Sequence, residues 1–147
     1  MRYLLDANIL LLLVRGSDAG FIADLEARFD LFTGRNRVHI SYATVGEIRV
    51  IAEKNRWGAA KWQALTRYLD ALQVVNLTGD AILDAYVAVD TFSHYFGRDM
   101  GSKSDIWIAA TANVYRMTLV TAHADFDHLA GEYCTVARVL TVPQTVP

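Results

Sequence analysis

The stretch that decides the fold is the start of the chain, which reads Tyr3-Leu4-Leu5-Asp6-Ala7-Asn8-Ile9-Leu10. The apolar residues before Asp6 form a short run that indicates a buried β-strand. The apolar segment from Ile9 to Val14 indicates a helix packed behind that strand. Asp6 is therefore predicted to lie at the carboxyl end of the first strand, at one edge of a sheet.

Strands and helices are predicted to alternate along the rest of the chain. The helices recognised by the spacing of their apolar residues include Asp18–Phe32, Ala59–Leu72 and one from Ser104 or Asp105 to Tyr115. Ser41 or Thr44 is expected to cap the helix that carries Glu47, and Thr78 the helix that runs toward Tyr95. The further strands are expected at Val38–Ile40, Val74–Leu77, Thr118–Thr121 and Thr135–Val139. This alternation is typical of an α/β fold with a central parallel sheet of four to five strands between two helical layers.

Length and charge restrict the possible functions. At 147 residues the chain fits one domain, expected over residues 1–142, with a short tail over residues 143–147 that contains both prolines. A net charge of -2 and an isoelectric point near 6.0 argue against a protein that coats nucleic acid through bulk positive charge. Any contact with RNA must therefore be local.

The chain shows no sign of export or membrane insertion. Its single cysteine, Cys134, can form no internal disulfide and suits a reducing compartment. The apolar run Ile9–Val14 is far shorter than the roughly 20 residues that a membrane helix needs, and no small-residue cleavage site follows it. We expect a cytoplasmic protein without a membrane partner.

Four acidic residues carry the chemical information: Asp6, Glu47, Asp105 and Asp125. Their predicted positions allow all four to meet at the carboxyl edge of the sheet. At about 4 Å and an effective dielectric of about 20, each like-charged pair repels by roughly 4 kcal/mol, so the cluster requires bound cations or raised pKa values. Oxygen ligands select Mg²⁺ or Mn²⁺, and two such ions can support hydrolysis of a phosphodiester bond without a side-chain nucleophile.

Four motifs give the chain a family resemblance over nearly its whole length. They are Tyr3–Leu10, Val45-Gly46-Glu47-Ile48, the helix Ser104–Ala112 and the segment Leu119–Phe126. Together, and in this order, they resemble PIN domains of the bacterial VapC type. The resemblance implies a PIN-like three-layer α/β/α fold and a metal-dependent endoribonuclease that uses Asp6, Glu47, Asp105 and Asp125 as catalytic, metal-binding residues. It also implies a toxin that acts on tRNA, rRNA or mRNA, forms a homodimer and is inhibited by a small antitoxin protein.

Four further residues are expected to surround the acidic quartet. Asn8 and Thr121 are candidates to orient carboxylates or water. His123 departs from the family pattern, which often has Asn or Asp there, and this puts the strength and pH dependence of a second metal site in doubt. Asp127, and also Asp99, are spare carboxylates that could compensate.

Other interpretations of the same residues remain open. Each acid alone suits an ordinary role, as a helix cap for Asp6 or a solvated helix residue for Glu47. The segment His123–His128 has a weak likeness to a zinc-hydrolase motif. The stretch Arg35–Arg67, which contains Trp57 and Trp62, suits either a phosphate-binding surface or solvated helix faces. A PIN module that has lost turnover and binds RNA or protein is the main alternative to the nuclease, while the acids of a phospho-acceptor receiver domain are not in place.

Overall fold

The computed structural model of the chain describes residues 1–16 and 18–139. Five strands lie at β1 (Arg2–Leu5), β2 (Arg37–Ser41), β3 (Gln73–Val75), β4 (Thr118–Thr121) and β5 (Thr135–Arg138). Six α-helices lie at α1 (Ala7–Arg15), α2 (Ala19–Phe29), α3 (Tyr42–Lys54), α4 (Ala59–Ala71), α5 (Asp80–Tyr95) and α6 (Lys103–Tyr115). A short 3₁₀ helix, η1, spans Ala124–Leu129 between β4 and β5. The alternation predicted from the sequence is confirmed.

The five strands form one sheet in the order β3-β2-β1-β4-β5, and every neighbouring pair is parallel. The chain first extends the sheet from β1 to β2 and β3, and then returns to place β4 on the other side of β1. The strand order therefore reverses at β1, which has β2 on one side and β4 on the other. In open parallel sheets, sites form at the carboxyl ends of the strands beside such a reversal. Asp6 and Thr121 lie at this position.

Helices cover both faces of the sheet because the central strands are apolar on both sides. Leu5, Ile40 and Val120 belong to a buried cluster that includes residues of α1, α2 and α4. Leu4 and Leu119 point into a second cluster with Ile106, Ile108 and Phe126. Successive residues of a strand face opposite sides, so Leu4 and Leu5 join different layers. The predicted three-layer α/β/α architecture is confirmed.

Several helix ends carry the signals that the sequence analysis used. The Ser41 hydroxyl accepts a hydrogen bond from the Ala43 N–H at 3.2 Å, so Ser41 and not Thr44 caps α3. The α1 helix ends at Gly16, whose φ of 62° lies in the left-handed region that glycine adopts without strain. Thr78 is not a cap, because α5 begins after Gly79, which has φ 99°. The predicted cap was therefore wrong by one residue.

The remaining differences concern short or terminal segments. The third strand stops at Val75 and not at Leu77, and the segment after β4 is a 3₁₀ helix. No helix within residues 1–16 and 18–139 is long and apolar enough to cross a membrane. The expected tail at residues 143–147 lies outside the described residues.

Residues of the second core cluster should contribute strongly to the stability of the fold. We expect Ile108→Ala to lower the free energy of unfolding by about 2–5 kcal/mol, because Ile108 is fully buried and its loss leaves a cavity. Val87→Ala on the exposed side of α5 should change it by about 0.5 kcal/mol or less. Urea unfolding with an unchanged m-value would measure both. Equal midpoints for the two variants would contradict this placement of the core.

Candidate metal-binding site at the carboxyl edge of the sheet

Asp6 lies directly after β1 and is 2% exposed. Its Oδ1 accepts a hydrogen bond from the Ala7 N–H at 2.7 Å, so the residue caps α1 as well. Its Oδ2 accepts from Asn8 Nδ2 at 2.8 Å and from the Thr121 hydroxyl at 2.7 Å. A buried carboxylate is tolerated only when such donors replace water. The three donors occupy both lone pairs of Oδ2 and one of Oδ1, which leaves one lone pair of Oδ1 free.

Asn8 and Thr121 connect this carboxylate to the end of β4. The Asn8 side-chain oxygen accepts a hydrogen bond from the Ala122 N–H at 3.0 Å. The Thr121 hydroxyl, which donates to Asp6, also accepts from the His123 N–H at 3.1 Å. Both side chains therefore use a donor and an acceptor, which fixes their orientation. The segment after β4 is thereby held beside Asp6.

Glu47 and Asp105 approach Asp6 from two helices. Glu47 lies in the second turn of α3 and Asp105 in the first turn of α6, and both are half-buried. Burial raises the pKa of Glu47, and the charge of Asp6 raises it further, while His123 acts in the opposite direction. Burial raises the pKa of Asp105 to about 7, assisted by the charges of Asp6, Glu47 and Asp125. The structure therefore brings all four predicted acids into one electrostatic neighbourhood.

Asp125 and His123 belong to the segment that follows β4. Both side chains are exposed, and Asp125 lies in the first turn of η1. His123 lowers the pKa of both Glu47 and Asp105, so its imidazole lies near the acidic cluster. The spare carboxylates are engaged elsewhere. Asp127 pairs with Arg138 Nη1 at 3.0 Å, and Asp99 with His94 Nδ1 at 3.0 Å.

The donor set suits a hard divalent cation. Asp6, Glu47, Asp105 and Asp125 offer oxygen atoms alone, and the Glu47 Oε2 is buried without a hydrogen-bond partner among the described residues. The carboxylates do not form a finished cage, because no three His, Cys, Asp or Glu side chains within residues 1–16 and 18–139 are arranged to hold a metal ion. Like-charged carboxylates that share a site repel one another. The raised pKa of Asp105 shows the same repulsion, and a cation would relieve it.

Comparison with known proteins places this geometry in a family. The PIN domain family matches residues 3–132, which is most of the chain. The chain belongs to the PIN domain family. No curated protein matches the sequence.

Solved structures share the PIN fold at low sequence identity. A chain of the VapBC2 structure from Rickettsia felis, bound to a DNA fragment from its promoter, has 21% identity and a TM-score of 0.79 over 94% of this chain and 98% of that chain. A chain of VapBC-1 from nontypeable Haemophilus influenzae has 22% identity and a TM-score of 0.75, with the same coverage. A chain of VapBC-5 from Mycobacterium tuberculosis has 20% identity and a TM-score of 0.64, over 95% of this chain and 98% of that chain.

The two tryptophans of the basic stretch Arg35–Arg67 have a structural role in this PIN domain. Trp57 and Trp62 are half-buried, lie 6.3 Å apart in an edge-to-face arrangement and pack against the core cluster beneath α4. Lys61 places its Nζ 5.6 Å from the centre of the Trp57 ring. The tryptophans therefore connect α3 and α4, and the surrounding Arg and Lys side chains are exposed.

Sequence reasoning missed two polar groups in the PIN domain. Thr44 lies one turn before Glu47, and its buried hydroxyl has no partner among the described residues. Ser93 is fully buried on α5 and lies 2.8 Å from His128 Nε2. Helical spacing could have placed Thr44 beside Glu47, since residues three apart are neighbours on a helix. No sequence signal joins Ser93 to His128, because 35 residues separate them.

The acidic cluster should make the metal-free PIN domain less stable as the pH rises. A carboxyl group whose folded pKa is raised to about 7 disfavours folding once the unfolded group, with a pKa of about 3.9, ionises. Stability should therefore fall between about pH 4 and pH 7. In chelator-treated protein, Asp105→Asn should raise the melting temperature relative to wild type, with a gap that widens from pH 5 to pH 8 to about 2–4 °C.

The matched control for this measurement is Asp84→Asn, which changes an exposed carboxylate on α5. Its melting temperature should follow wild type at both pH values. A constant gap between Asp105→Asn and wild type across this pH range would show that the Asp105 carboxylate is not destabilised by its neighbours.

Proposed function

We propose that this PIN domain is an endoribonuclease that hydrolyses RNA phosphodiester bonds with divalent metal bound at Asp6, Glu47, Asp105 and Asp125. One observation carries the proposal: four carboxylates from separate segments converge at the carboxyl edge of the sheet, where burial, assisted by the charges of Asp6, Glu47 and Asp125, raises the pKa of Asp105 to about 7. Carboxyl groups with pKa values perturbed in this way cluster at functional sites. Mg²⁺ or Mn²⁺ is the cation that an all-oxygen donor set favours.

Bound metal would supply a Lewis acid that activates water and stabilises the charge on the leaving oxygen. The protein supplies the geometry. Asp6 is the most rigid acid, since Ala7, Asn8 and Thr121 hold both of its oxygens, so we assign it the central position. Glu47, Asp105 and Asp125 would supply the further carboxylates that hold the metal. The apolar cores below keep the carboxylate edge partly shielded from water, which strengthens its electrostatic effects.

The residues around the quartet have supporting functions in this proposal. Asn8 and Thr121 orient Asp6, and their loss should weaken metal binding as the loss of outer partners does in other metal sites. His123 stands beside the carboxylates as a nitrogen ligand or a hydrogen-bond donor to the phosphate. Asp127 forms an ion pair with Arg138, an exposed contact between η1 and β5.

Structural neighbours support a biological role as the toxin of a VapBC-type pair. The matching chains come from complexes described as VapBC, and one from Klebsiella pneumoniae is described as a toxin-antitoxin complex, with 24% identity and a TM-score of 0.63 over 92% of this chain. We propose a small antitoxin protein as the partner, a homodimer as the assembly and the cytoplasm as the location. The RNA substrate would be a tRNA, an rRNA or an mRNA, which the few local basic groups must select.

The catalytic part of this proposal predicts a metal-dependent cleavage that requires Asp6. Purified protein should cut a mixture of tRNA and rRNA in the presence of Mg²⁺ or Mn²⁺, and excess EDTA should abolish the cleavage. Asp6→Asn should lower the rate by at least about 100-fold, because it removes a central charge while keeping the shape of the side chain. Separation of labelled RNA fragments on denaturing gels gives the rates.

A matched control is Asp24→Asn, which changes an exposed carboxylate on α2 and should cleave as wild type does. Circular dichroism and melting temperature must show that both variants are folded. Cleavage that persists undiminished in Asp6→Asn would trace the activity to a contaminant or to another site. No cleavage by folded, partner-free wild type would contradict the nuclease.

The toxin part of the proposal predicts growth arrest that depends on the same carboxylate. Expression of the wild-type chain alone in bacteria should stop growth, whereas expression of Asp6→Asn to the same level should not. Co-expression of the proposed small antitoxin protein should restore growth. The antitoxin should also co-purify with the chain. Normal growth with active, uninhibited enzyme would contradict the toxin and leave a housekeeping nuclease.

A second candidate is a PIN module that binds RNA or protein without turnover. His123 favours it, because it stands where the family often has Asn or Asp. Binding of RNA that is equal with metal and with EDTA, together with absent cleavage, would support this alternative. The two candidates therefore separate in a single titration of RNA against wild-type protein with and without metal.

A further inference from the structure

The 3₁₀ helix η1 carries Asp125 and needs anchors outside itself. It has only six residues, and no side chain caps its amino end. Short 3₁₀ helices have poorer hydrogen-bond geometry than α-helices, so their orientation depends on contacts with the rest of the fold. Asp125 itself is exposed and makes no side-chain hydrogen bond within the described residues that would hold it in place. Its position is therefore set by the residues that hold η1.

His128 makes the most specific of these contacts. Its Nε2 lies 2.8 Å from the hydroxyl oxygen of Ser93, which is fully buried on α5. Its imidazole lies parallel to the Phe92 ring, at 3° and 6.4 Å, and nearly parallel to the Phe96 ring, at 24° and 5.8 Å. A hydrogen bond in the plane of the ring and aromatic rings beside it together fix both the position and the rotation of the imidazole.

Asp125 and His128 lie on the same side of η1. In a 3₁₀ helix there are three residues per turn, so the side chains of residues i and i+3 are eclipsed. The backbone of Asp125 also raises the pKa of the His128 imidazole, although burial and Arg98 lower it more strongly, which places that backbone next to the ring. A rotation of His128 away from Ser93 would consequently turn Asp125 away from Asp105.

The other anchors of η1 do not fix this rotation. Phe126 and Leu129 are fully buried and hold the helix down on the core, but apolar packing is not directional. The ion pair between Asp127 and Arg138 is directional, but both side chains are about half exposed, at 51% and 42%. Exposed ion pairs contribute little to structure. The contact between the fully buried Ser93 and the partly buried His128 is therefore a directional side-chain anchor within η1.

We propose that Ser93 and His128 are positioning residues that orient Asp125 toward the acidic cluster, and that metal affinity depends on their hydrogen bond. The inference rests on the proposed metal site and assigns it a determinant on α5, a helix that supplies none of the four carboxylates. It treats the pair as a support for Asp125 and gives it no direct contact with metal or RNA.

The test measures Mn²⁺ binding by electron paramagnetic resonance, which reports free Mn²⁺ and does not depend on catalysis. Ser93→Ala and His128→Ala should each weaken Mn²⁺ binding by about tenfold, as the loss of outer partners does at other metal sites. His128→Gln should restore most of the affinity, because its amide can reach Ser93. Arg138→Ala, which removes the exposed anchor, should stay within about twofold of wild type.

A double-mutant cycle separates positioning from general stability. In an Asp125→Asn background, His128→Ala should have no further effect on Mn²⁺ affinity, because the carboxylate that it positions is already gone. The melting temperature of each variant is measured in parallel. An unchanged Mn²⁺ affinity in Ser93→Ala and His128→Ala, or equal losses with and without Asp125, would overturn the proposal and leave the pair a purely structural contact.

The same experiment distinguishes this inference from the proposed function. Wild-type protein that binds Mn²⁺ and loses affinity in the variants, but cuts no RNA, would sustain the positioning role and contradict the nuclease. RNA cleavage by wild type, with no effect of the variants on Mn²⁺ binding, would support the nuclease and contradict the positioning role. Wild-type protein that binds no Mn²⁺ would overturn both.

Discussion

The Asp6 carboxylate joins the ends of two neighbouring strands, and the rest of the site depends on this junction. Asp6 follows β1, while Thr121, which donates to its Oδ2, ends β4. Asn8 strengthens the junction by bonding to Asp6 and to the Ala122 N–H. A buried carboxylate without such donors would be strongly destabilising. The hydrogen bonds thus allow a charge to stay where the sheet reverses its strand order, which is where a parallel sheet has room for a ligand.

A second constraint is electrostatic. Glu47 and Asp105 are carried toward Asp6 by α3 and α6, and burial and like charge raise the pKa values of both. This arrangement costs stability, as functional sites commonly do. A bound cation would relieve this repulsion, because it attracts each of the carboxylates. The overall charge of -2 is irrelevant to this local effect, so a mildly acidic protein can still present a site for a phosphodiester.

The position of Asp125 depends on packing contacts that lie far from Asp6. Asp125 is carried by a 3₁₀ helix whose apolar residues Phe126 and Leu129 are fully buried, and whose His128 contacts Ser93 on α5. The four acids are therefore supported by different parts of the fold, and only the sheet brings them together. Low identity to seven of the structural neighbours, at 19–24%, is compatible with this because the fold fixes positions and not most identities.

The sequence by itself determined the strand and helix alternation and the layered α/β class, since periodicity and helix caps are local properties that each segment carries alone, and its motifs predicted the four acids. It could not fix the strand order β3-β2-β1-β4-β5, because pairing depends on which crossovers pack against which face. It also misplaced the start of α5 at Thr78, where the left-handed Gly79 decides. Only the tertiary structure joined Thr121 to Asp6 and Ser93 to His128, because those hydrogen bonds span 115 and 35 residues of chain and arise from packing rather than from local pattern.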